Sequence, residues 1–347
     1  MAATECFKVG VVGLGYWGPN LARVIMDQDD VELAWLCDRD EERLNKHGRR
    51  YPSAQRTARY QDLLDDDDLD AVFIATPVFT HYGLAEQSLQ AGKHTFVEKP
   101  LASCAAEAES LLGCAEERGL VILCGHTFVY SPPVRNVRAM LEAGELGDLH
   151  FISTSRVNLG LHQRDVSVIW DLAPHDFSIL CYWLDRLPAS IRAVGRDAIV
   201  PGIPDVAFVT LTYPCGLLVN VELSWLAPSK LRRCVLVGQE KMVVYEDGAP
   251  EPVRVYDHGV VYRDPETFGE YHLSYRTGDI TSPKIQHYEP LGAQVKDFID
   301  SARRGEPMSW HAGMARDVVM MLEAAEDSLR NGGIDVVLDS QAATRAG

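Results

Sequence analysis

The 347-residue sequence lacks any uninterrupted apolar run approaching the ~18 residues of a membrane span. Its opening MAATECFK has neither the basic nor the apolar region of a signal peptide. Basic residues are also scarce: 33 Lys and Arg stand against 50 Asp and Glu, for a formal charge of -17. That balance disfavours a nucleic-acid backbone or an anionic membrane surface as partner, and a cytoplasmic protein is expected. Among the 8 cysteines there is no CxxC pair, and Cys104, Cys114 and Cys124 fall on a helix start, that helix's far end and the next strand. All eight are read as small buried thiols without a metal or redox role. The run Asp65-Asp66-Asp67-Asp68 reads as a solvated turn, because adjacent carboxylates do not converge on a cation without other ligands. No metal is expected, and there is no internal repeat or low-complexity tract.

What is present has the composition of a globular chain with room for two cores: 46% hydrophobic and 24% charged residues. The organising stretch is Lys8 to Asn20, KVGVVGLGYWGPN. A short β-branched strand runs directly into Gly13-Leu14-Gly15-Tyr16-Trp17-Gly18. Gly13 turns the chain off the strand, Gly15 leaves no Cβ between backbone and a pyrophosphate, and Gly18 lets the next helix approach the sheet. The start of that helix then offers its N–H groups and positive dipole end to phosphates. A second strand, Leu33 to Cys37, ends on Asp38, twenty residues beyond Gly18, where a dinucleotide site places a carboxylate on the ribose hydroxyls. Asp38 favours NAD. The adjacent Arg39 keeps NADP as the alternative, since a guanidinium there can receive a 2′-phosphate.

Strands and helices then alternate. Ala71 to Ala75 is a buried strand stopped by Thr76-Pro77, and ligands in such sheets lie off the carboxyl ends of strands, so Ala75, Thr76, Pro77 and His81 are expected along the cofactor. His81 reads equally as a helix-start histidine without a ligand. The strand His94 to Val97 ends on Glu98-Lys99-Pro100, where proline extends the backbone and projects the ammonium of Lys99 off the strand end. A further strand ends at Cys124, with His126 and Tyr130 beyond it as candidate borders of the pocket. This pattern predicts a doubly wound parallel sheet over 1–126.

After it, strands predominate. Candidates are His150 to Val157, Ile191 to Arg196, Ala207 to Tyr213, Leu217 to Trp225, Cys234 to Val237 and Met242 to Tyr245. Tyr213-Pro214-Cys215-Gly216 reads as a turn between two antiparallel strands. Residues 127–347 are therefore expected to form an α+β domain with a large, mostly antiparallel open sheet. Residues 246–289 read as an irregular polar excursion, and two amphipathic helices close the chain.

Within the second half, Trp170-Asp171-Leu172-Ala173-Pro174-His175 is the chemical candidate. Proline is expected in a first helical turn, which would put Asp171 at or beside the N-cap and His175 one turn on. The bland alternative is a capping aspartate and an ordinary histidine. Arg156, Asn158, His162, Arg164 and Asp165 precede this helix; the two arginines would either clamp an anionic group or pair with acids. Lys230, Arg232 and Arg233 form a basic cluster that reads first as a solvated face, with an anionic substrate or a neighbouring subunit as the alternative.

Together, GLGYWG, Asp38, Glu98-Lys99-Pro100 and Asp171-xxx-His175 resemble the glucose-fructose oxidoreductase and inositol dehydrogenase (Gfo/Idh/MocA) family across nearly the whole chain. The resemblance implies a Rossmann domain followed by a substrate-binding and oligomerisation domain. It implies a nicotinamide-dependent oxidoreductase for a sugar, nucleotide sugar or cyclitol, with Lys99 and His175 as catalytic pair and Asp171 as substrate ligand. A homodimer or homotetramer through the C-terminal sheet is also implied. The WDLAPHD run and Ser224-Trp225-Leu226-Ala227-Pro228-Ser229-Lys230 are most similar to sugar-nucleotide 3-dehydrogenases and sugar ketoreductases, while bulky Trp170 replaces the glycine-rich lead of many members. Two other functions fit the same scaffold: an NAD-dependent glycosidase-type hydrolase or eliminase, and a non-catalytic NAD(P)-sensing protein. Stoichiometric NADH formation separates the dehydrogenase from the hydrolase, and absence of turnover across a broad sugar and sugar-nucleotide panel with NAD still bound would favour the sensor.

Overall fold

A computed structural model describes residues 6–160, 166–263, 272–306 and 309–338. Two compact units emerge, Met1–Tyr130 with Tyr288–Met320 and Ser131–His287 with Met321–Gly347.

The first unit is built on a six-stranded parallel sheet. Along the chain run β1 (Phe7–Val12), α1 (Gly18–Met26), β2 (Val31–Cys37), α2 (Glu41–Gly48), β3 (Gln55–Thr57), α3 (Gln61–Leu64) and β4 (Ala71–Ile74). After them come α4 (His81–Gln90), β5 (His94–Val97), α5 (Ala105–Arg118) and β6 (Ile122–Cys124). The order β3-β2-β1-β4-β5-β6 reverses direction between β1 and β4, and that switch point is where a doubly wound sheet opens a crevice at its carboxyl edge. Every residue of β4 is buried, as a strand covered on both faces must be. Phe73 and Phe96 stack at 5.0 Å between ring centres, and Phe298 meets them edge-on at 5.2 and 5.9 Å. Phe298 belongs to a helix far along the chain, so this core is completed by residues after 287.

The second unit contains α6 (Pro132–Glu142), β7 (Leu149–Leu159), α7 (Val168–Leu184), β8 (Ser190–Arg196), β9 (Val206–Thr212) and β10 (Leu218–Ser224). It continues through β11 (Leu226–Gly238), β12 (Met242–Glu246), β13 (Val253–Arg263) and β14 (His272–Thr281). Two helices, α8 (Pro290–Arg304) and α9 (Ser309–Arg330), and a short β15 (Val336–Val337) close the chain. The nine-stranded sheet has the order β14-β13-β12-β11-β7-β10-β9-β8-β15, and its pairings are antiparallel except β7 with β10. Buried Phe177, Leu180 and Trp183 of α7 belong to the covered side. On the other face Phe151, Phe208 and Leu218 are 45%, 45% and 50% exposed, with Leu218 paired to Phe151 and Phe208 to Val194.

Three expectations are corrected. The span 246–289 is not an irregular excursion: β13 and β14 pair antiparallel within it, joined by backbone hydrogen bonds that polar strands make as well as apolar ones. Helix α7 begins at Val168 behind Ser167, so Asp171 is its fourth residue and Pro174 lies inside the helix. Pro174 therefore removes the N–H that would serve the Trp170 carbonyl, and side-chain burial on both sides of it outweighs that loss, which is about 3 kcal/mol in an exposed helix. Finally, Cys6 and Cys215 are exposed, Cys215 because it occupies the turn between β9 and β10.

Candidate active site

In the first unit the glycine turn has the geometry of a phosphate cradle. Gly13 sits at φ +88°, and a Cβ there would lie 2.5 Å from the Ala75 carbonyl oxygen. One on Gly18 would lie 1.8 Å from the Gly13 carbonyl oxygen. Both glycines thus answer to packing within the fold. Gly15 differs: around its Cβ position the protein places nothing within 4 Å except the Arg43 guanidinium at 3.8 Å. Its bareness serves a ligand. Helix α1 has no capping side chain and no acidic residue in its first turn, and Pro19 falls where its missing N–H costs nothing. The dipole end is left for an anion. Tyr16 and Trp17, in edge contact at 5.4 Å, are exposed beside it.

Asp38 closes the turn. Its Oδ2 accepts from Leu14 N at 2.6 Å and its Oδ1 from Asp40 N at 2.9 Å. Arg39 is exposed. Ala75, Thr76 and Pro77 follow β4 along the same carboxyl edge, with Thr80 donating to the Thr76 hydroxyl at 2.7 Å. His81 is buried, and its Nδ1 and Nε2 each lie 2.8 Å from a carbonyl oxygen, of Pro100 and Thr76. Burial lowers its pKa, against the two carbonyls that favour the protonated ring. With both nitrogens engaged by protein, the ring ties the loop after β4 to the loop after β5.

Lys99 is half-buried at the end of β5, before a cis peptide to Pro100. Beside it Glu98 is buried, its Oε2 accepting from Lys99 N at 3.3 Å and its Oε1 meeting no partner among the described residues. Burial pushes the Glu98 carboxyl up to about 7, opposed by the Lys99 charge. Glycine at 125 makes room for it, since a Cβ there would lie 3.0 Å from Glu98 Oε2. His126 is 1% exposed with neither ring nitrogen bonded among the described residues, and burial followed by Lys99 brings its pKa down to about 3. The Tyr130 hydroxyl donates to Asp297 at 2.7 Å and lies 2.7 Å from His311 Nε2.

In the second unit a cleft open to solvent is lined by Arg156, Val157, Asn158, Asp171, Leu172, His175, Lys230 and Arg232. Helical spacing sets Asp171 and His175 on one face of α7, four residues apart. Trp225 Nε1 donates to Asp171 Oδ2 at 2.9 Å. Gly160 lets the end of β7 pass close to that indole, where a Cβ would come within 2.9 Å of Trp225 Cδ1. Arg156 is buried against Asp176, and Arg232, opposite it across the β7–β11 pair, bonds Asp247 at 2.8 Å. Trp170 is half-buried one residue before Asp171. His162, Arg164 and Asp165 lie outside the described residues.

The structure therefore gathers Arg156, Asn158, Asp171 and His175 in one cleft, and the glycine turn with Asp38 in another place. Sequence reasoning missed Trp225, Asp176 and Arg43, and it assigned Lys230 and Arg232 to a solvated face. The break in β11 pairing between Leu226 and Leu231 carries Lys230 into the cleft lining, and no strand pattern announces such a break. Among the described residues no group of three or more His, Cys, Asp or Glu is placed to hold a metal, and no helix is long and apolar enough to cross a membrane.

Residues 7–126 match the oxidoreductase family model with an NAD-binding Rossmann fold, and residues 134–244 match the GFO/IDH/MocA C-terminal domain. An uncharacterised oxidoreductase of Bacillus subtilis, YrbE, is 24% identical over 276 residues, 76% of this chain and 81% of its own length. A UDP-N-acetylglucosamine 3-dehydrogenase of Acidithiobacillus ferrooxidans is 29% identical over 240 residues, 67% of this chain and 72% of that protein. Among solved structures, GenD2 from gentamicin A biosynthesis in complex with NAD superposes with a TM-score of 0.82 at 25% identity, covering 98% of each chain. The orphaned Glu98 oxygen, the bare Gly15 and the uncapped start of α1 all suit that dinucleotide. Matched in both halves, the chain belongs to the Gfo/Idh/MocA oxidoreductase family, and its first unit is an NAD-binding Rossmann domain.

Proposed function

We propose that the protein is an NAD-dependent dehydrogenase or ketoreductase acting on a secondary alcohol or ketone of a sugar, nucleotide sugar or cyclitol. The observation that carries the reading is the cleft in which His175 and Asp171 stand one helical turn apart with Asn158 and Arg156. Bound NAD supplies the hydride acceptor. His175 takes the hydroxyl proton at an imidazole nitrogen in oxidation and returns it in reduction. Lys99 steadies the developing negative charge on the oxygen through its ammonium. Asp171, held by Trp225, accepts from a neighbouring hydroxyl and orients the ring. Arg156 and Arg232 each carry a carboxylate partner already, which suits a hydroxyl-rich ligand at this end of the cleft. The 29% identical UDP-N-acetylglucosamine 3-dehydrogenase supports the sugar-nucleotide branch of this reading. The exposed Phe151, Phe208 and Leu218 on the open sheet support a homo-oligomer formed there, which sedimentation velocity tests.

The decisive experiment is an absorbance screen of free sugars, inositols and nucleotide sugars with NAD. Formation of one NADH per substrate oxidised is expected. His175→Ala and Lys99→Ala each lower turnover by roughly 10²- to 10⁴-fold with NAD affinity retained. Near-normal turnover in His175→Ala removes it from the chemistry.

A further inference from the structure

The cleft that holds Asp171 and His175 is bounded by β7 and β11, and the pairing of those two strands is interrupted there. Leu226 stands opposite Leu159 and Leu231 opposite Val157, so Ala227-Pro228-Ser229-Lys230 faces the single residue Asn158. A strand that carries extra residues bends away from its partner and re-aims the side chains at the break. Pro228, which has no N–H to give, is tolerated where no ladder bond is made. Both ends of the bulge are fastened: Trp225 donates to Asp171 just before it, and Arg232 bonds Asp247 at 2.8 Å just after it. Lys230 and Asn158 thereby line one cleft from the two sides of the break.

Of the three Lys and Arg side chains in that lining, two are already neutralised, Arg156 by Asp176 and Arg232 by Asp247. Lys230 is exposed and meets no carboxylate at ion-pair distance among the described residues. Its ammonium, a point charge on a flexible stem, suits carboxylate and phosphate oxygens alike. Asn158 adds a second requirement. Its Oδ1 is buried without a partner among the described residues, in space that Gly160 leaves to it, since a Cβ there would come within 3.1 Å. An open buried acceptor beside a cleft suits a hydroxyl donated by a ligand. A hydroxyl for Asn158 and an anion for Lys230 form a pattern that no uncharged sugar completes.

We propose that the substrate is an anionic sugar, bearing a carboxylate or a phosphate, and that Lys230 selects it. The inference rests on the reading of this cleft as the substrate site. Asn158 accepts from one ring hydroxyl, Asp171 from another, and Lys230 holds the negative group. The two arginines give the cleft shape rather than charge, because each would have to leave its carboxylate to meet the ligand.

Glucose and galactose are compared with their uronates, 1-phosphates and UDP derivatives, which share each ring and differ in charge. Titration calorimetry with NADH bound reads affinity without turnover, and NADH formation from NAD reads the reaction. At least one class of charged compound is expected to bind about tenfold more tightly than its neutral parent. Lys230→Ala is expected to lower that preference by about tenfold and Lys230→Glu by more, while Lys230→Arg retains it. Arg233→Ala, which removes a neighbouring cation outside the cleft lining, leaves the preference as it is. A loss at the uronates alone locates the charge on the ring, and a loss at the phosphates and UDP derivatives locates it at the anomeric oxygen. No preference for any charged compound, or a preference that survives Lys230→Ala, overturns the proposal. Charge-selective binding that Lys230→Ala abolishes, without NADH formation, upholds the proposal and counts against the dehydrogenase reading. NADH formed equally well from the neutral sugars and their charged forms does the reverse.

Discussion

The two units treat the charged groups of their sites differently. In the first, buried groups next to Lys99 have no partner among the described residues: one oxygen of Glu98 and both ring nitrogens of His126. In the second, the arginines of the cleft are matched by carboxylates of the same unit, Arg156 by Asp176 and Arg232 by Asp247. Buried polar groups without partners are costly, and they persist where something else satisfies them or where function requires them. The first unit thus keeps buried polar groups beside Lys99 for its cofactor, whereas the second neutralises both cleft arginines before a substrate arrives while leaving Asn158 Oδ1 buried without a partner among the described residues.

The sharpest way to break that contrast is at Asp176. Its carboxylate and the Arg156 guanidinium are 2% and 5% exposed, so removing one leaves the other charged and buried. Asp176→Ala is expected to cost about 3 to 5 kcal/mol in urea unfolding followed by tryptophan fluorescence. An Arg156→Met/Asp176→Leu double variant recovers most of that stability, since no charge is then stranded. A loss below about 1 kcal/mol in Asp176→Ala would mean that the frame does not depend on this pair.

The same contrast explains what was legible beforehand. The cradle is written in contiguous residues: Gly13, Gly15 and Gly18 are local backbone requirements, and Asp38 follows from the length of one βα unit. The cleft is assembled from β7, α7 and β11, with Arg156 and Arg232 lying 76 positions apart. Asp171 and His175 were readable because a helix brings them together by itself. Trp225 on Asp171 and Lys230 in the lining depend on strand register and a local break, which no periodicity encodes. Pro174 was misjudged because helix propensity ignores the buried face that holds α7 together. Likewise β13 and β14 were hidden by their polar residues, since backbone pairing does not require the apolar alternation by which a strand is read. Arg43 escaped because its stem is on α2 while its head reaches the glycine turn.

The unsatisfied groups of the first unit give a second, smaller effect. Glu98 has a folded-state pKa of about 7 against 4.5 ordinarily, so the native state holds its proton more firmly and stability falls as pH rises between those values. His126 does the reverse: with a folded pKa of about 3 against 6.5, it refuses a proton that the unfolded chain accepts, and stability rises across that window. Between about pH 5 and 6.5 the slopes oppose, each worth about 1.4 kcal/mol per pH unit. Glu98→Gln removes one of them. Its stability relative to wild type is expected to climb with pH by about that slope, as read from urea midpoints at several pH values. A difference independent of pH would show that Glu98 is not held protonated by burial.

The smallest effect probes how the second unit orients the Asp171 carboxylate of its cleft. Asp171 receives the indole N–H of Trp225, which is itself 1% exposed and so held in one orientation by packing. Trp225→Phe keeps an aromatic ring of similar depth and deletes that donor, a change worth about 1 kcal/mol for one hydrogen bond, or about fivefold in kcat/KM. If Asp171 orients substrate hydroxyls, the loss falls mainly on KM, because an acceptor that is still present but less well aligned weakens binding before it alters proton transfer at His175. A loss confined to kcat would instead tie Trp225 to the chemical step. An unchanged kcat/KM would mean that the fourth position of α7 is aligned by the helix alone, and that this unit needs no help from β10 and β11 to hold its carboxylate.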